Sequence, residues 1–202
     1  MISVLLDTSN TNLAVGIAKD HVLIGETQYA AWQRQSEYLV PEIDNLLKKL
    51  SLTKDDIDEI IVSKGPGSYT GVRIGMTVAK VMAFALNKPL YLVSSLEVYK
   101  AKEGRSVCLM NARSKRSYIG VYSPEEIVLS DTIMDNEQVK LYLAAHPEYK
   151  VCGDVSYLSL EGEKVNILEN LMNADIERNL CKDVLAAKPV YACVFIRWFL
   201  SI

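Results

Sequence analysis

The sequence predicts an α/β fold of two lobes, each a mixed β-sheet with helices. Short apolar runs of strand length alternate with stretches whose apolar residues recur every three or four positions. The order β-β-β-α occurs once before Glu103 and restarts after Gly104, which assigns 1–103 to an N-terminal lobe and 104–202 to a less regular C-terminal lobe. A chain of 202 residues, 50% hydrophobic and 23% charged, holds enough apolar material for one large domain or two small lobes.

Residues 2–7, 13–19 and 22–29 are β-prone runs separated by Ser9-Asn10-Thr11-Asn12 and Asp20-His21, polar breaks suited to hairpin turns. Ser36 then precedes a helical pattern in which Leu39, Ile43, Leu46, Leu47 and Leu50 share one face. With Ser36 as N-cap, Pro41 lies past the first turn and should bend the helix. Thr53 with Asp55 and Asp56 makes a capped turn, and 57–63 is an apolar run of the kind buried in parallel sheets. A second helix, from about 70 to 86, carries only Arg73, Thr77 and Lys80 as a polar stripe, so it needs cover on more than its sheet side. Residues 90–93 give another buried strand, and Ser94-Ser95-Leu96-Glu97 fits a capped helix start.

In the second half, 107–110, 118–122 and 127–133 read as strands and 136–145 as a helix. A short strand is expected at 150–152, and a mostly helical stretch over 167–187 that stops at Pro189.

Composition excludes several classes. A net charge of −3 and a pI near 5.5 give no basic footprint for a phosphate backbone. Cys108, Cys152, Cys181 and Cys193 are far apart with no CxxC pair, which predicts reduced thiols and a cytoplasmic protein. The apolar start lacks a basic leader and reads as a strand rather than a signal peptide. Residues 190–202 form an atypical apolar tail interrupted by Arg197, shorter than the roughly 20 residues of a membrane-spanning helix, so no membrane partner is expected.

The most informative segment is Gly65-Pro66-Gly67-Ser68-Tyr69-Thr70-Gly71, which joins a buried strand to a helix. Free N–H groups and the helix dipole can hold an anion there, or the glycines can simply make a tight turn. Its spacing is neither a dinucleotide fingerprint nor a Walker loop.

Together with Asp7-Thr8-Ser9 after the first strand and the continuation Val72-Arg73-Ile74-Gly75, this segment closely resembles the TsaB (YeaZ) family. The resemblance runs through the first lobe, including Ser36-Glu37 to Pro41 and Pro89-Leu90. It implies an actin-like (ASKHA) fold and a subunit of the bacterial machinery for threonylcarbamoyl modification of adenosine in tRNA. The implied role is a non-catalytic scaffold and activator that pairs with a catalytic TsaD-type paralogue, joined by a TsaE-type ATPase subunit, with tRNA engaged indirectly.

No catalytic residue and no metal site are expected. Catalytic relatives carry two histidines on the first helix, where this chain has Gln33, Gln35, Ser36 and Leu39. His21 and His146 read as loop residues. In the second lobe, Asn111-Ala112-Arg113 stands where relatives typically show Asp-Ala-Arg. ATP or ADP and Mg²⁺ are expected only in the complex. Asp7, Thr8, Ser9, Gly65, Gly67, Ser68, Tyr69, Thr70 and Gly71 are the candidate nucleotide or anion contacts, with Asp154 a weaker one. Arg113, Lys115 and Arg116 are a basic cluster for a nucleotide or RNA phosphate, or a solvated turn.

Gly71, Gly75, Ala79 and Ala83 form a ridge of small residues on the second helix, suited either to a partner helix or to its own sheet. Family members use their first two helices for pairing, so Leu39, Ile43, Val72, Met76 and Ala79 are the expected partner contacts, with a homodimer when the partner is absent. The competing readings are an independent ATP-dependent enzyme of the actin-like fold and a metalloprotease. After Lys188-Pro189-Val190-Tyr191 the tail departs from the charged one usual in relatives, through divergence or an altered reading frame.

Overall fold

The computed structural model describes residues 1–31 and 33–191. The first sheet has five strands: β1 (Ile2–Asp7), β2 (Asn12–Lys19), β3 (Val22–Ala30), β4 (Glu59–Ser63) and β5 (Leu90–Val93). Their spatial order is β3-β2-β1-β4-β5; β1 pairs antiparallel with β2 and parallel with β4, and β4 pairs parallel with β5. The second sheet has β6 (Ser106–Arg113), β7 (Arg116–Tyr122), β8 (Ile127–Asp135) and β9 (Lys150–Gly153), in the order β8-β7-β6-β9.

Alternation along β1 and β4 explains the layering. Val4, Leu6, Ile60 and Val62 point to one face, where α1 (Gln35–Lys49) and α2 (Tyr69–Leu86) pack. Leu5 and Ile61 point to the other, which is covered by α4 (Ile167–Met172) through Ile167, Leu168 and Leu171. Both faces of the parallel part are therefore buried, which is why its strands read as continuous apolar runs. In the second sheet α3 (Asn136–Ala145) covers one face through Val139, and the other face meets Leu96 and Ala101 of the segment joining the sheets.

Three expectations need correction. The first sheet is built from strands within 2–93 and the second from strands within 106–153, but the stretch 167–187 is not the mostly helical run of the second lobe that was expected. It is two short helices, α4 and α5 (Ile176–Asn179), followed by an irregular segment with a turn at 184–186, and these elements pack on the first sheet. The Cys181 amide donates to the Leu90 carbonyl at 2.8 Å, and Cys181, Val184 and Ala187 pack on the first core. Apolar residues at helical spacing there serve two successive contacts instead of one helix face.

The first helix starts at Gln35 with Arg34 as its N-cap, one residue before Ser36. The buried Gln35 side chain donates to the carbonyls of Asn10 at 2.7 Å and Asn12 at 2.9 Å, which ties the helix start to the β1–β2 turn. Pro41 lies inside the helix on its exposed side, where the Glu37 carbonyl that loses its usual donor can be solvated.

The third correction concerns the five expected partner contacts. Leu39, Ile43, Val72, Met76 and Ala79 are all in the core between the helices and the sheet, with Met76 only 1% exposed. The small-residue ridge likewise faces inward: Gly71 and Gly75 lie against Thr8. The apolar tail expected at 190–202 falls, beyond Tyr191, outside the described residues, as do Cys193, Arg197, Trp198 and Phe199.

Candidate functional site

The C-terminal ends of β1, β4 and β5 meet at one edge of the first sheet, where parallel strands place loops that can hold ligands. Asp7 ends β1, Ser63 ends β4, and Ser94 follows β5. Ser63 donates its hydroxyl to Asp7 Oδ1, and the Ser9 amide donates to the same oxygen at 3.3 Å. Burial pushes the Asp7 carboxyl above the usual carboxylate range, opposed by the Ser63 and Ser9 hydrogen bonds.

The glycine-rich loop lies over this edge. Gly65 has φ +101°, and a Cβ there would sit 2.2 Å from the Val190 carbonyl oxygen, so only glycine fits. The Gly65 amide donates to Ser95 Oγ at 2.9 Å, and its carbonyl accepts from the Ser95 amide at 2.9 Å. The Ser68 amide donates to the Ser9 carbonyl at 2.7 Å, while Ser68 Oγ caps α2 by accepting from Gly71 at 3.3 Å. The C-terminal segment closes the loop from outside: the Val190 amide donates to the Lys64 carbonyl at 2.7 Å, and Tyr191 stacks on Tyr69 at 5.1 Å. Arg73 completes the stack 4.2 Å above the Tyr69 ring.

Between the lobes is a cleft of about 380 Å³, lined by Asn10, Thr11, Gly67, Ser68 and Tyr69 on one side and by Asn111, Ala112, Arg113, Tyr118 and Asp154 on the other. The start of α2 thus opens on the same space as Arg113, an arrangement that favours a negative group. The expected contacts divide here. Gly67, Ser68 and Tyr69 line the cleft and Thr70 is exposed beside them, whereas Asp7, Thr8, Ser9, Gly65 and Gly71 are buried beneath. Asp7 is only 1% exposed and its Oδ1 is engaged within the chain, so in this structure these residues hold the loop in place instead of presenting it with ligands.

The basic cluster also divides. Arg113, Ser114 and Lys115 all have positive φ, which turns the β6–β7 hairpin so sharply that Arg113 lines the cleft while Lys115 lines a separate recess with Asp135, Asn136 and Glu137. Arg116 pairs with Asp135 in the β7–β8 register. Asp154 does reach the cleft, as its place after β9 requires.

The junction between the lobes was not foreseen from residue pattern. Tyr122 donates to Asp131 Oδ1, and Ser94 donates to Asp131 Oδ2 at 2.6 Å, joining β7 and β8 to the loop after β5. Burial raises the Asp131 carboxyl, and burial followed by the Asp131 charge raises the Tyr122 phenol. Next to them the buried Glu97 carboxylate accepts from Arg178 on α5 and lies 3.5 Å from Lys100. Only the capping pattern at Ser94 was a sequence signal for any of this.

Fold and site together define a two-lobed α/β protein with mixed sheets and a glycine-rich strand-to-helix loop at the mouth of an interlobe cleft. Residues 25–190 match the family model described as TsaD, tRNA N6-adenosine threonylcarbamoyltransferase. The chain belongs to that family and, within it, to the TsaB/YeaZ group, paralogues of the TsaD-type proteins. It is 34% identical over 134 residues to the tRNA threonylcarbamoyladenosine biosynthesis protein TsaB of Bacillus subtilis, a match covering 64% of this chain and 58% of that protein. The protein of the same name from Buchnera aphidicola subsp. Schizaphis graminum is 27% identical over 123 residues, 58% of each chain. The chain therefore spans less than two thirds of the length of these relatives. The structure of YeaZ from Pseudomonas aeruginosa superposes with a TM-score of 0.78 at 23% identity, covering 94% of this chain and 99% of that one, a likeness of fold.

Proposed function

We propose that the chain is a non-catalytic scaffold and activator in the transfer of a threonylcarbamoyl group to adenosine in tRNA. It docks on a TsaD-type catalytic paralogue through the outer faces of α1 and α2, on an actin-like two-lobed frame. The observation that carries this is the presence of exposed apolar side chains on two helices that touch: on α2 Val81 is 61% exposed and Phe84 63%, and on α1 Val40 is 55% exposed. Ile74 and Val78 flank them, half-buried. Isolated surface apolar residues are ordinary, but Val78, Val81 and Phe84, three residues apart on α2, line one side of the helix as an association surface does.

The names of the relatives place them in the synthesis of threonylcarbamoyladenosine in tRNA, which supports the same role here. In this reading a TsaE-type ATPase subunit joins the pair in the cytoplasm, nucleotide and Mg²⁺ bind only in the assembled complex, and tRNA is held mainly by other subunits. The net charge of −3 agrees with that division of labour. Alone, the chain forms a homodimer through the same self-complementary face.

Light scattering on the purified chain, alone and mixed with the paralogue, tests the proposal. A homodimer that converts to a heterodimer, both lost in Phe84→Lys, is the expected result. A monomer that ignores the paralogue refutes it and returns the independent ATP-dependent enzyme, whose own mark is nucleotide turnover by the isolated chain.

A further inference from the structure

Cys108 and Cys152 are 44 positions apart in sequence yet are direct partners in the parallel pairing of β6 and β9. Residues opposed in a parallel pair project to the same face, and both thiols lie in one buried cluster with Leu96, Ala101, Met110 and Tyr122. Strands about 4.8 Å apart fall within the Cα spacing of roughly 4.4 to 6.8 Å that a disulfide spans. The pair lies just behind the cleft: β6 continues into Asn111 and Arg113, and β9 into Gly153 and Asp154.

We propose that Cys108 and Cys152 are a redox-active dithiol, oxidised by a peroxide to a cross-strand disulfide that staples β9 to β6 behind the interlobe cleft.

The surroundings of the two sulfurs set the order of events. Burial pushes the Cys108 thiol well up, whereas Cys152 is lowered, chiefly by a hydrogen bond from Cys108. Cys152, on the edge strand β9, is the thiol that peroxide reaches first, and it attacks as the thiolate. It displaces hydroxide from hydrogen peroxide and becomes a sulfenic acid; Cys108 gives up its proton and attacks that sulfur, forming the S–S bond and releasing water. Two thiols lose two electrons and two protons, and the peroxide leaves as two waters.

Access comes from the edge position of β9. It is four residues long and lies at the edge of the second sheet; among the described residues it pairs with β6 on one side and on the other meets Glu163, through a bridge to Cys152 and the Glu163 amide, which donates to the Val151 carbonyl at 2.7 Å. A short edge strand opens locally far more often than the whole chain unfolds, which admits a molecule as small as peroxide. Once the disulfide forms, that opening is blocked.

The test uses the full chain, equilibrated over a series of oxidised-to-reduced glutathione ratios, blocked with an alkylating agent in denaturant and mapped by mass spectrometry. A cross-linked peptide pair carrying Cys108 and Cys152, two hydrogens lighter than the reduced pair and reversed by dithiothreitol, is expected. It should persist in the Cys181→Ser, Cys193→Ser double variant and vanish in Cys152→Ser. With hydrogen peroxide, Cys108→Ser should accumulate a dimedone-reactive sulfenic acid on Cys152. Amide exchange over Lys150–Gly153 should slow in the oxidised wild-type chain. Cys108 and Cys152 remaining fully alkylatable at the most oxidising ratio overturns the proposal, as does a mixed disulfide with glutathione that never resolves. The wild-type peptide map decides the matter even where a variant fails to fold.

Discussion

Thr8 and Gly71 are locked together. Thr8 Oγ1 donates to the Gly71 carbonyl at 2.8 Å and accepts from the Gly75 amide at 3.1 Å, so the side chain inserts into the first turns of α2. A Cβ on Gly71 would stand 2.1 Å from the Thr8 carbonyl oxygen, and one on Gly75 would stand 2.6 Å from Thr8 Oγ1. This contact sets where the glycine-rich loop sits relative to β1.

Gly71→Ala should therefore destabilise the chain by about 3 kcal/mol despite alanine's better helix propensity, because backbone must move. Gly75→Ala meets only a side-chain oxygen, so Thr8→Ala should relieve part of its cost. Urea denaturation of the two single variants and the double checks this; strict additivity would show that the contact is not shared.

Met76→Lys and Phe84→Lys should separate folding from association. Lysine at position 76 places a charge in the core and should cost more than about 3 kcal/mol or prevent folding. At the exposed position 84 the same change should alter stability by no more than about 0.5 kcal/mol while abolishing pairing. Thermal melts read the first effect and light scattering the second.

Asp7 should make the protein less stable as pH rises. Its folded-state pKa lies above the unfolded value because the charged form is desolvated. The stabilisation is thus complete below the unfolded carboxylate pKa and is lost as pH climbs through the folded one. Asp7→Asn, which keeps an acceptor for Ser63 and Ser9, should flatten that decline and be the more stable form at neutral pH. Denaturation midpoints at several pH values test this; a variant less stable than wild type at neutral pH would show that the carboxylate is held charged.

Arg178→Ala should leave the buried Glu97 carboxylate with Lys100 as its remaining cation and cost about 2 kcal/mol. Because α5 is held to the first lobe by this pair, the irregular segment after it should also become more sensitive to proteolysis. An unchanged cleavage pattern would mean that the Cys181–Leu90 hydrogen bond and its neighbours suffice.

Much of the fold was legible because local pattern and tertiary role agree. Strand β1 falls where its apolar run puts it and helix α3 where the period of 3.6 does, and the two-sided burial of β4 is visible as an unbroken Ile-Ile-Val run. Position 167 onward misled, since apolar spacing does not distinguish one helix from two short contacts in succession. The partner face misled for a related reason: Met76 and Phe84 are both apolar residues on the same helix, and nothing local says which of them meets the sheet.

Local pattern was enough for the strands and helices up to β9, for the glycine-rich loop and for the family, because periodicity, turn residues and a long uninterrupted motif are properties of neighbouring positions. Tertiary structure alone decided that Asp7 lies beneath the loop, that Arg113 and not Lys115 turns into the cleft, and that Asp131 joins Ser94 and Tyr122. It likewise decided that Cys108 faces Cys152. Each of these is a meeting of residues remote in sequence, fixed by strand register and by which face of an element is left over once the core has closed.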